Sequence, residues 1–267
     1  MNIKIIQEFF YFNNKLLGIY KKFSNFFSLD KVSKQKGGYS IEYQKEKIKF
    51  DKVVDDDLTT LYVSTLDKHS NCILILIYKD NNTAVLQGIS SDICFRNPEF
   101  NNGKHLMSIT IKFLKKYQEK FNIKLIELTD NSYIDCNHKD IKIWLADLSL
   151  LQYAETFYGK FGFIPNKKIE YNNYKNNKII LRKLLTKDVN LKEIIVKSED
   201  YELNKELLKI IYTSYQEYED KLFNEWFLYI SKILMKKNCQ FFEYFIDKLF
   251  KVLQLSSLVH KTLILEL

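Results

Sequence analysis

Glycine and proline are scarce in this sequence, with seven glycines and two prolines among 267 residues. Disordered and low-complexity segments are typically rich in these two residues, so long tracts of that kind are excluded. Hydrophobic residues make up 46% of the chain, which is ample for a packed core. The composition therefore predicts one large folded domain, or a medium-sized domain with an appendage.

Arginine is nearly absent, because Arg96 and Arg182 are the only two in a chain of net charge +8. Proteins that read a base sequence usually use arginine, whose planar guanidinium contacts guanine through two hydrogen bonds. The composition thus argues against nucleic acid as a partner. Nucleic-acid binding through Lys-rich helices is nevertheless a third alternative, beside the two functions given below. The abundant lysine, asparagine, isoleucine, tyrosine and phenylalanine share AT-rich codons, which indicates an AT-rich genome such as that of a large DNA virus or a parasite.

Long apolar runs are also missing. The longest covers residues 72–78, which is far shorter than the ~20 residues of a membrane-spanning helix. Gln7 and Glu8 interrupt the apolar start of the chain, so the sequence predicts no signal peptide. We therefore expect a soluble protein without a membrane partner.

The cysteines form no C-x-x-C motif, and their spacings are irregular: Cys72, Cys94, Cys136 and Cys239. This pattern predicts reduced thiols and a cytoplasmic location, in the host cytoplasm or a virion if the source is viral. Cys136 and His138 stand close together, but no second pair of ligands has a spacing suitable for zinc. We expect no metal site.

Periodicity predicts an α/β (α+β) fold with a helical segment at each end. Period-two alternation or short apolar runs predict strands at 39–43, 48–50, 59–66, 72–78, 83–89, 123–128 and 179–184. Helical spacing predicts helices at 3–27, 104–120, 150–160, 198–219, 222–235 and 241–258. Asp80-Asn81-Asn82 predicts a hairpin turn, and 132–147 predicts an inserted hairpin with 141–145 as one strand. The predicted domains are 1–190 and a helical extension, 191–267.

Residues 154–163 carry the most specific pattern, A-x-x-Φ-Y-x-x-Φ-G-F with Φ apolar. This pattern resembles the acetyl-CoA-proximal helix of GNAT-type N-acetyltransferases, and the similarity of element order covers roughly 59–184. The resemblance implies a mixed sheet flanked by helices and acetyl transfer from acetyl-CoA to an amine. It also implies that Tyr158 lies beside the thioester and donates a proton to the departing thiolate.

The family's pyrophosphate loop stands at the start of the long helix. The resemblance matches Gly103, Lys104 and His105 to that loop, and Arg96 or Lys104 can hold phosphate by charge. His105 and Met107 stand where the family has small residues, which let main-chain N–H groups approach the phosphates. The other interpretation is a plain helix start, capped by Asn101 or Asn102.

A general base must remove a proton from the acceptor amine. Glu127 is the candidate, and Asp130 follows it closely in the sequence. The other interpretation is that both are ordinary solvent-exposed side chains. The alternative function is a catalytically inactive GNAT-like scaffold that serves as a binding or structural protein. Large apolar residues of the C-terminal helices predict either an extra core layer or a surface for a protein partner or self-association: Phe223, Trp226, Phe227, Tyr229 and Ile230.

Overall fold

A computed structural model describes residues 5–7, 39–55, 57–89, 94–136, 141–195 and 205–267. The contacts within the chain divide it into two compact units. The N-terminal unit comprises Gln7–Ile126 with Leu267, and the C-terminal unit comprises Glu127–Glu266 with Met1–Ile6. The domain boundary predicted at residue 190 lies within the C-terminal unit and stays a prediction.

The described residues form a mixed α/β structure with a large, mostly antiparallel sheet and seven α-helices. The strands are β1 Ile5–Gln7, β2 Tyr39–Tyr43, β3 Glu46–Val54, β4 Leu58–Ser64, β5 Asn71–Tyr78, β6 Thr83–Ile89, β7 Leu125–Thr129, β8 Ser132–Asp135, β9 Lys142–Trp144, β10 Ile164–Pro165 and β11 Thr262–Glu266. The α-helices are α1 Gly103–Phe121, α2 Leu145–Tyr153, α3 Lys168–Leu181, α4 Leu191–Ile195, α5 Lys205–Glu217, α6 Phe223–Lys237 and α7 Cys239–Val252.

The N-terminal unit is an antiparallel meander covered by α1. Strands β2 to β6 pair in chain order, which confirms the predicted strands of this region. Gln44 and Lys45 have positive φ in the turn between β2 and β3. Asn82, also at positive φ, closes the predicted hairpin between β5 and β6. Asparagine tolerates this left-handed conformation, which is why the turn could be predicted from the sequence.

Helix α1 buries one apolar face, as its periodicity predicted. Leu106, Ile109 and Phe113 recur at helical spacing and are fully buried. The ring of Phe113 stacks on Phe50 of β3 with 3.8 Å between ring centroids. This aromatic pair joins the helix to the meander in one core.

The C-terminal unit contains two small sets of strands. In one, β8 and β9 form an antiparallel hairpin, with β1 on the other side of β8. The predicted hairpin is confirmed, although its second strand stops at Trp144 and Leu145 begins α2. In the other set, β11 lies between β10 and β7. β11 was not predicted from the sequence.

Most of the C-terminal unit is a helical core. Helix α2 packs on α6, and α6 packs on α5 and α7. Six large aromatic side chains are fully buried there: Phe223, Trp226, Phe227, Phe241, Phe242 and Phe245. The helices at 222–235 and 241–258 are confirmed with shifted ends. Among the described residues, none of the helices combines the length and apolar character needed to cross a bilayer.

Two predicted elements are wrong. The segment predicted as a strand at 179–184 lies largely in α3, because Tyr174, Asn177 and Leu181 are buried at helical spacing while Ile179 and Ile180 face outward. The helix predicted at 150–160 ends earlier, since α2 stops at Tyr153. Tyr158 therefore does not lie on a helix.

Two predictions at chain segments fall mainly outside the described residues. Of the helix predicted at 3–27, only Ile5–Gln7 is described, and these residues form β1 instead. Ser198, the predicted helix cap, lies outside the described residues, and the helix of that region begins at Lys205.

The predicted reduced cysteines are also wrong. Cys72 pairs with Cys94 inside the N-terminal unit, and Cys136 pairs with Cys239 inside the C-terminal unit. The second bond joins the end of β8 to the start of α7 across a sequence separation of 103. His138, considered beside Cys136 as a metal ligand, lies outside the described residues.

Candidate active site

Tyr158 lies in a turn that follows α2, and its side chain is buried. Just after the last helical residue, Ala154 adopts a left-handed conformation with φ of 51° and ends the helix. The hydroxyl of Thr156 accepts a hydrogen bond from the main-chain N–H of Gly159 at 2.9 Å and closes the turn around Tyr158. A Cβ at Gly159 would overlap the Oε1 of Glu155 and the hydroxyl of Tyr174, so a larger residue there would displace these side chains. This turn holds Tyr158 at 4% exposure.

The Tyr158 hydroxyl belongs to a buried chain of polar groups. Its oxygen lies 3.2 Å from the Oγ of Ser132. The main-chain N–H and the hydroxyl of Ser132 both hydrogen-bond the carboxylate of Asp130, the N–H at 3.2 Å. Ser132 is 8% exposed and Asp130 only 2%. Hydrogen bonds strengthen one another in such a low-dielectric setting, so the three groups form a continuous path from phenol to carboxyl.

Asp130 is an acid whose proton comes off close to neutral pH. Burial raises its pKa from 3.8 to about 6, and the nearby Asp147 carboxyl adds to the rise. The hydrogen bonds from Ser132 oppose the shift, because they favour the charged carboxylate. A buried carboxyl with a pKa in this range is typical of acid–base groups in active sites.

A second buried carboxyl, Asp147 of α2, anchors the segment between α7 and β11. It accepts hydrogen bonds from Ser257 Oγ at 2.8 Å and from the Leu258 N–H at 3.2 Å. Asn177 of α3 bonds the main chain of Ser256 in both directions, at 2.7 and 3.1 Å. Burial also raises the pKa of Asp147 to about 6. These contacts fix the start of a segment whose next residues reach Asp130.

His260 lies at the end of that anchored segment. Its main-chain N–H donates to the carbonyl oxygen of Asp130 at 3.1 Å. Its imidazole Nδ1 lies 2.6 Å from the Oδ1 of Asn131. Three consecutive residues therefore connect two side chains that are distant in sequence: Asp130 and Asn131 hold His260, and Ser132 holds Tyr158.

Two buried acids with raised pKa values predict that stability falls as the pH rises. Between about 4 and 6 the folded chain holds protons that the unfolded chain has lost, so folding is favoured at the acidic end of this range. At neutral pH Asp130 and Asp147 each lower the stability by roughly 3 kcal/mol, because the pKa of each carboxyl rises from 3.8 to about 6 on folding. We expect the free energy of unfolding of Asp147→Asn, measured in urea, to fall less between pH 4.5 and 7.5 than that of wild type. Wild type measured over the same pH range is the reference, and an equal loss of stability in Asp147→Asn would contradict the prediction.

Glu127, the predicted base, lies on β7 and points away from the buried face of that strand. Its neighbours Ile126 and Leu128 are buried, whereas Glu127 is partly exposed. No hydrogen bond or ion pair joins its side chain to another residue in the described ranges. Within the C-terminal unit, the buried path to Tyr158 runs through Asp130 rather than Glu127.

The predicted phosphate-binding residues lie in the N-terminal unit. Gly103, Lys104 and His105 form the first turn of α1, with Lys104 exposed. Asn102 caps this helix, because its side chain accepts the His105 N–H at 3.0 Å. Arg96 is exposed, in the segment before the helix. The two cations are therefore accessible, while one main-chain donor of the turn is already satisfied.

The side chains of His105 and Met107, which stand where the family has small residues, both pack against neighbouring parts of the chain. The Nδ1 of His105 lies 3.0 Å from the hydroxyl of Tyr43, and its ring packs against Phe100. Met107 is fully buried. Asn101 holds the preceding segment by accepting the N–H of Cys94 and of Phe95 at 2.8 and 2.7 Å.

Neither Ser132 nor His260 was predicted from the sequence as a residue of this site. The string Asp130-Asn131-Ser132 stands directly after a predicted strand, and a polar string in that position is a usable signal for a site. His260 is 130 residues from Asp130 in sequence, so spacing cannot reveal their contact.

Comparisons with known proteins yielded no match, either to a protein-family model, to a curated protein or to a solved structure. In the part of the chain that the structure describes, no three His, Cys, Asp or Glu side chains group closely enough to hold a metal ion.

Proposed function

We propose that this chain transfers an acetyl group from acetyl-CoA to an amine, with Tyr158 as proton donor to the departing sulfur. The observation that carries the proposal is the buried chain from Tyr158 through Ser132 to Asp130. A phenol with a usual pKa near 10 stays protonated at neutral pH and can donate. The resemblance of residues 154–163 to the acetyl-CoA-proximal segment of GNAT-type enzymes supports the same role.

The three groups supply and recover one proton. The Tyr158 hydroxyl turns from Ser132 to the departing sulfur and donates its proton there. The Ser132 hydroxyl can then turn from Asp130 to the phenol oxygen, because a serine hydroxyl rotates freely between partners. Asp130, with a pKa of about 6, gives its proton to Ser132 as Ser132 passes its own to the phenol oxygen, and the carboxylate then takes up a proton from solvent.

Within the C-terminal unit, the residues around Tyr158 fit the thioester of acetyl-CoA. The thioester, when bound, supplies an activated acyl carbon and a thiolate leaving group. Tyr158 provides the donor that such a leaving group requires. Within the N-terminal unit, the residues predicted to bind phosphate fit less well, because Lys104 and Arg96 offer exposed charge while Asn102 already occupies the N–H of His105. Phosphate binding here would depend on the cations more than on the helix amides.

Removing the Tyr158 hydroxyl should lower turnover without abolishing cofactor binding. We expect Tyr158→Phe to reduce kcat by about 10²-fold, the usual contribution of a positioned proton donor, and to leave the Kd for acetyl-CoA nearly unchanged. Turnover is measured as release of free CoA thiol against a panel of amines, and Kd by isothermal titration.

Tyr153→Phe is the matched control, because Tyr153 lies at the end of α2 and is 46% exposed. This variant should retain full activity. Equal losses of kcat and affinity in Tyr158→Phe would contradict the assigned role, since a proton donor acts on the chemical step rather than on binding.

The second candidate is an inactive GNAT-like scaffold that binds a partner or serves a structural role. The capping of α1 by Asn102 and the contact between His105 and Tyr43 favour it, because both occupy the proposed phosphate site. Titration with CoA separates the candidates: absence of binding at millimolar CoA favours the scaffold. Loss of existing binding in Lys104→Ala and Arg96→Ala would support the enzyme and locate its phosphate contacts.

A further inference from the structure

His260 is held in a single orientation by contacts on two sides of its ring. Its Nδ1 lies 2.6 Å from the Oδ1 of Asn131. An amide oxygen can only accept a hydrogen bond, so Nδ1 carries the proton and Nε2 keeps its lone pair. The edge of the ring contacts Trp144 at 4.6 Å between centroids with an interplanar angle of 73°. Among the residues that the structure describes, Nε2 has no hydrogen-bond partner.

The main chain at His260 is also constrained. Its φ of 59° lies in the left-handed region, which is uncommon for residues other than glycine and which histidine, like asparagine and aspartate, adopts more often than most. Two main-chain hydrogen bonds around it connect this segment to Asp130: His260 N–H to Asp130 O at 3.1 Å, and Asp130 N–H to Lys261 O at 3.3 Å. Conformations of this kind persist where the surrounding structure enforces them and are concentrated at functional sites.

The charges around His260 keep its imidazole neutral. Partial burial lowers the pKa of His260 below 6.5, and the positive charges of Lys261 and Lys142 lower it further. Asp130 directly precedes Asn131 in sequence. Its main chain contacts His260, whereas its carboxyl group hydrogen-bonds Ser132. A neutral imidazole on the protein surface can accept a proton at physiological pH.

We propose that His260 is the general base that deprotonates the acceptor amine, with Asn131 as the residue that positions it. This inference rests on the proposed acetyl transfer. The amine nitrogen bonds to the acyl carbon, the carbon–sulfur bond breaks, and Nε2 of His260 takes the amine proton. Tyr158 gives its own proton to the sulfur, so the products are an amide and a thiol. His260 then releases its proton to water, since the residue is exposed, and Tyr158 regains one through Ser132.

The test uses the full chain with His260→Asn, because asparagine tolerates the left-handed backbone and cannot act as a base. We expect a fall in kcat of about 10²-fold at pH 7 with unchanged acetyl-CoA affinity, and partial restoration by added imidazole. His69→Gln, in the N-terminal unit, is the matched control and should behave as wild type. Unchanged kcat in His260→Asn, or a loss that imidazole does not restore, would overturn the proposal.

A second variant tests the positioning role and does not depend on turnover. Asn131→Asp replaces the amide oxygen with a carboxylate, which stabilises the imidazolium and should raise the pKa of His260. Histidine proton resonances titrated by NMR, with His260→Asn to assign the signal, measure that pKa directly. The proposal is supported if the pKa of His260 rises and the acidic limb of the pH profile of kcat also moves to higher pH. A raised pKa with an unmoved acid limb overturns it, as does a pKa that does not change.

The failure of this proposal can be told apart from the failure of acetyl transfer. If the chain binds acetyl-CoA and turns it over while His260→Asn is fully active, only the assignment of the base is wrong. If no CoA is bound and no thiol is released by the wild-type chain, the proposed reaction itself is wrong, and the base has no reaction to serve.

Discussion

Replacing both Cys136 and Cys239 with alanine should destabilise the C-terminal unit by roughly 4.7 kcal/mol. The bond closes a loop with a sequence separation of 103, and a cross-link over about 100 residues removes that much entropy from the unfolded chain in the loop-closure model. Urea unfolding of the oxidised wild type and of the double variant measures the difference. Since Cys136 follows β8 directly, the same change frees the strand that begins with Ser132.

The matched control is the other disulfide, between Cys72 and Cys94. Its sequence separation is 22, so the same model gives a smaller loss of roughly 3.4 kcal/mol, confined to the N-terminal unit. Alkylation followed by mass spectrometry checks the pairing, which requires that no free thiol is found in the oxidised protein. A double alanine variant of Cys136 and Cys239 as stable as wild type would show that the bond does not constrain the unfolded chain.

The meander could be predicted because its information is local. The alternation along β3 and β4 and the apolar run of β5 follow directly from which side chains are buried. The asparagine at position 82 indicates the left-handed backbone of the turn. The disulfides could not be predicted in this way. Their cysteines are brought together by packing, and irregular spacing carries no information on that contact.

The end of α2 shows why the local setting of Tyr158 was mispredicted. Ala154 and Glu155 favour helix, and the predicted helix accordingly continued through them. In the structure Ala154 is left-handed, and Thr156 bonds Gly159 rather than a helical partner. The side chain of a threonine can accept a hydrogen bond from a main-chain N–H and so compete with the helix for it. Here this bond, together with tertiary contacts, stabilises the turn instead of the helix. The residue singled out by its motif was nevertheless placed in a buried polar chain.

The rest of the candidate site depends on pairings across long separations. Asp130 was noticed beside Glu127, but its burial and its bonds to Ser132 are visible only once the fold is known. β11, which carries His260 into place, was missed because a short apolar run after a helix has no distinctive period. Local pattern thus singled out Tyr158 and Asp130, whereas the contacts of Ser132 and His260 depend on packing.

The C-terminal core gives a large predicted effect of a different origin. Trp226 of α6 is fully buried, and its Nε1 donates to the hydroxyl of Ser214 at 3.0 Å. Its ring also contacts Phe223 and Phe245 with centroids 5.9 and 6.2 Å away. Removing the indole would leave a large cavity and would free one buried hydroxyl from its partner.

We therefore expect Trp226→Ala to lower the free energy of unfolding by about 4 kcal/mol, measured by urea denaturation. Tyr229→Ala on the same helix should cost less than about 1 kcal/mol, because that side chain is 42% exposed and loses mainly its stacking on Tyr218. Equal losses would indicate that this helix is held by its exposed face. Because α6 packs on α2, which carries Asp147, a loosened core should also weaken the anchored segment that holds His260 against Asp130.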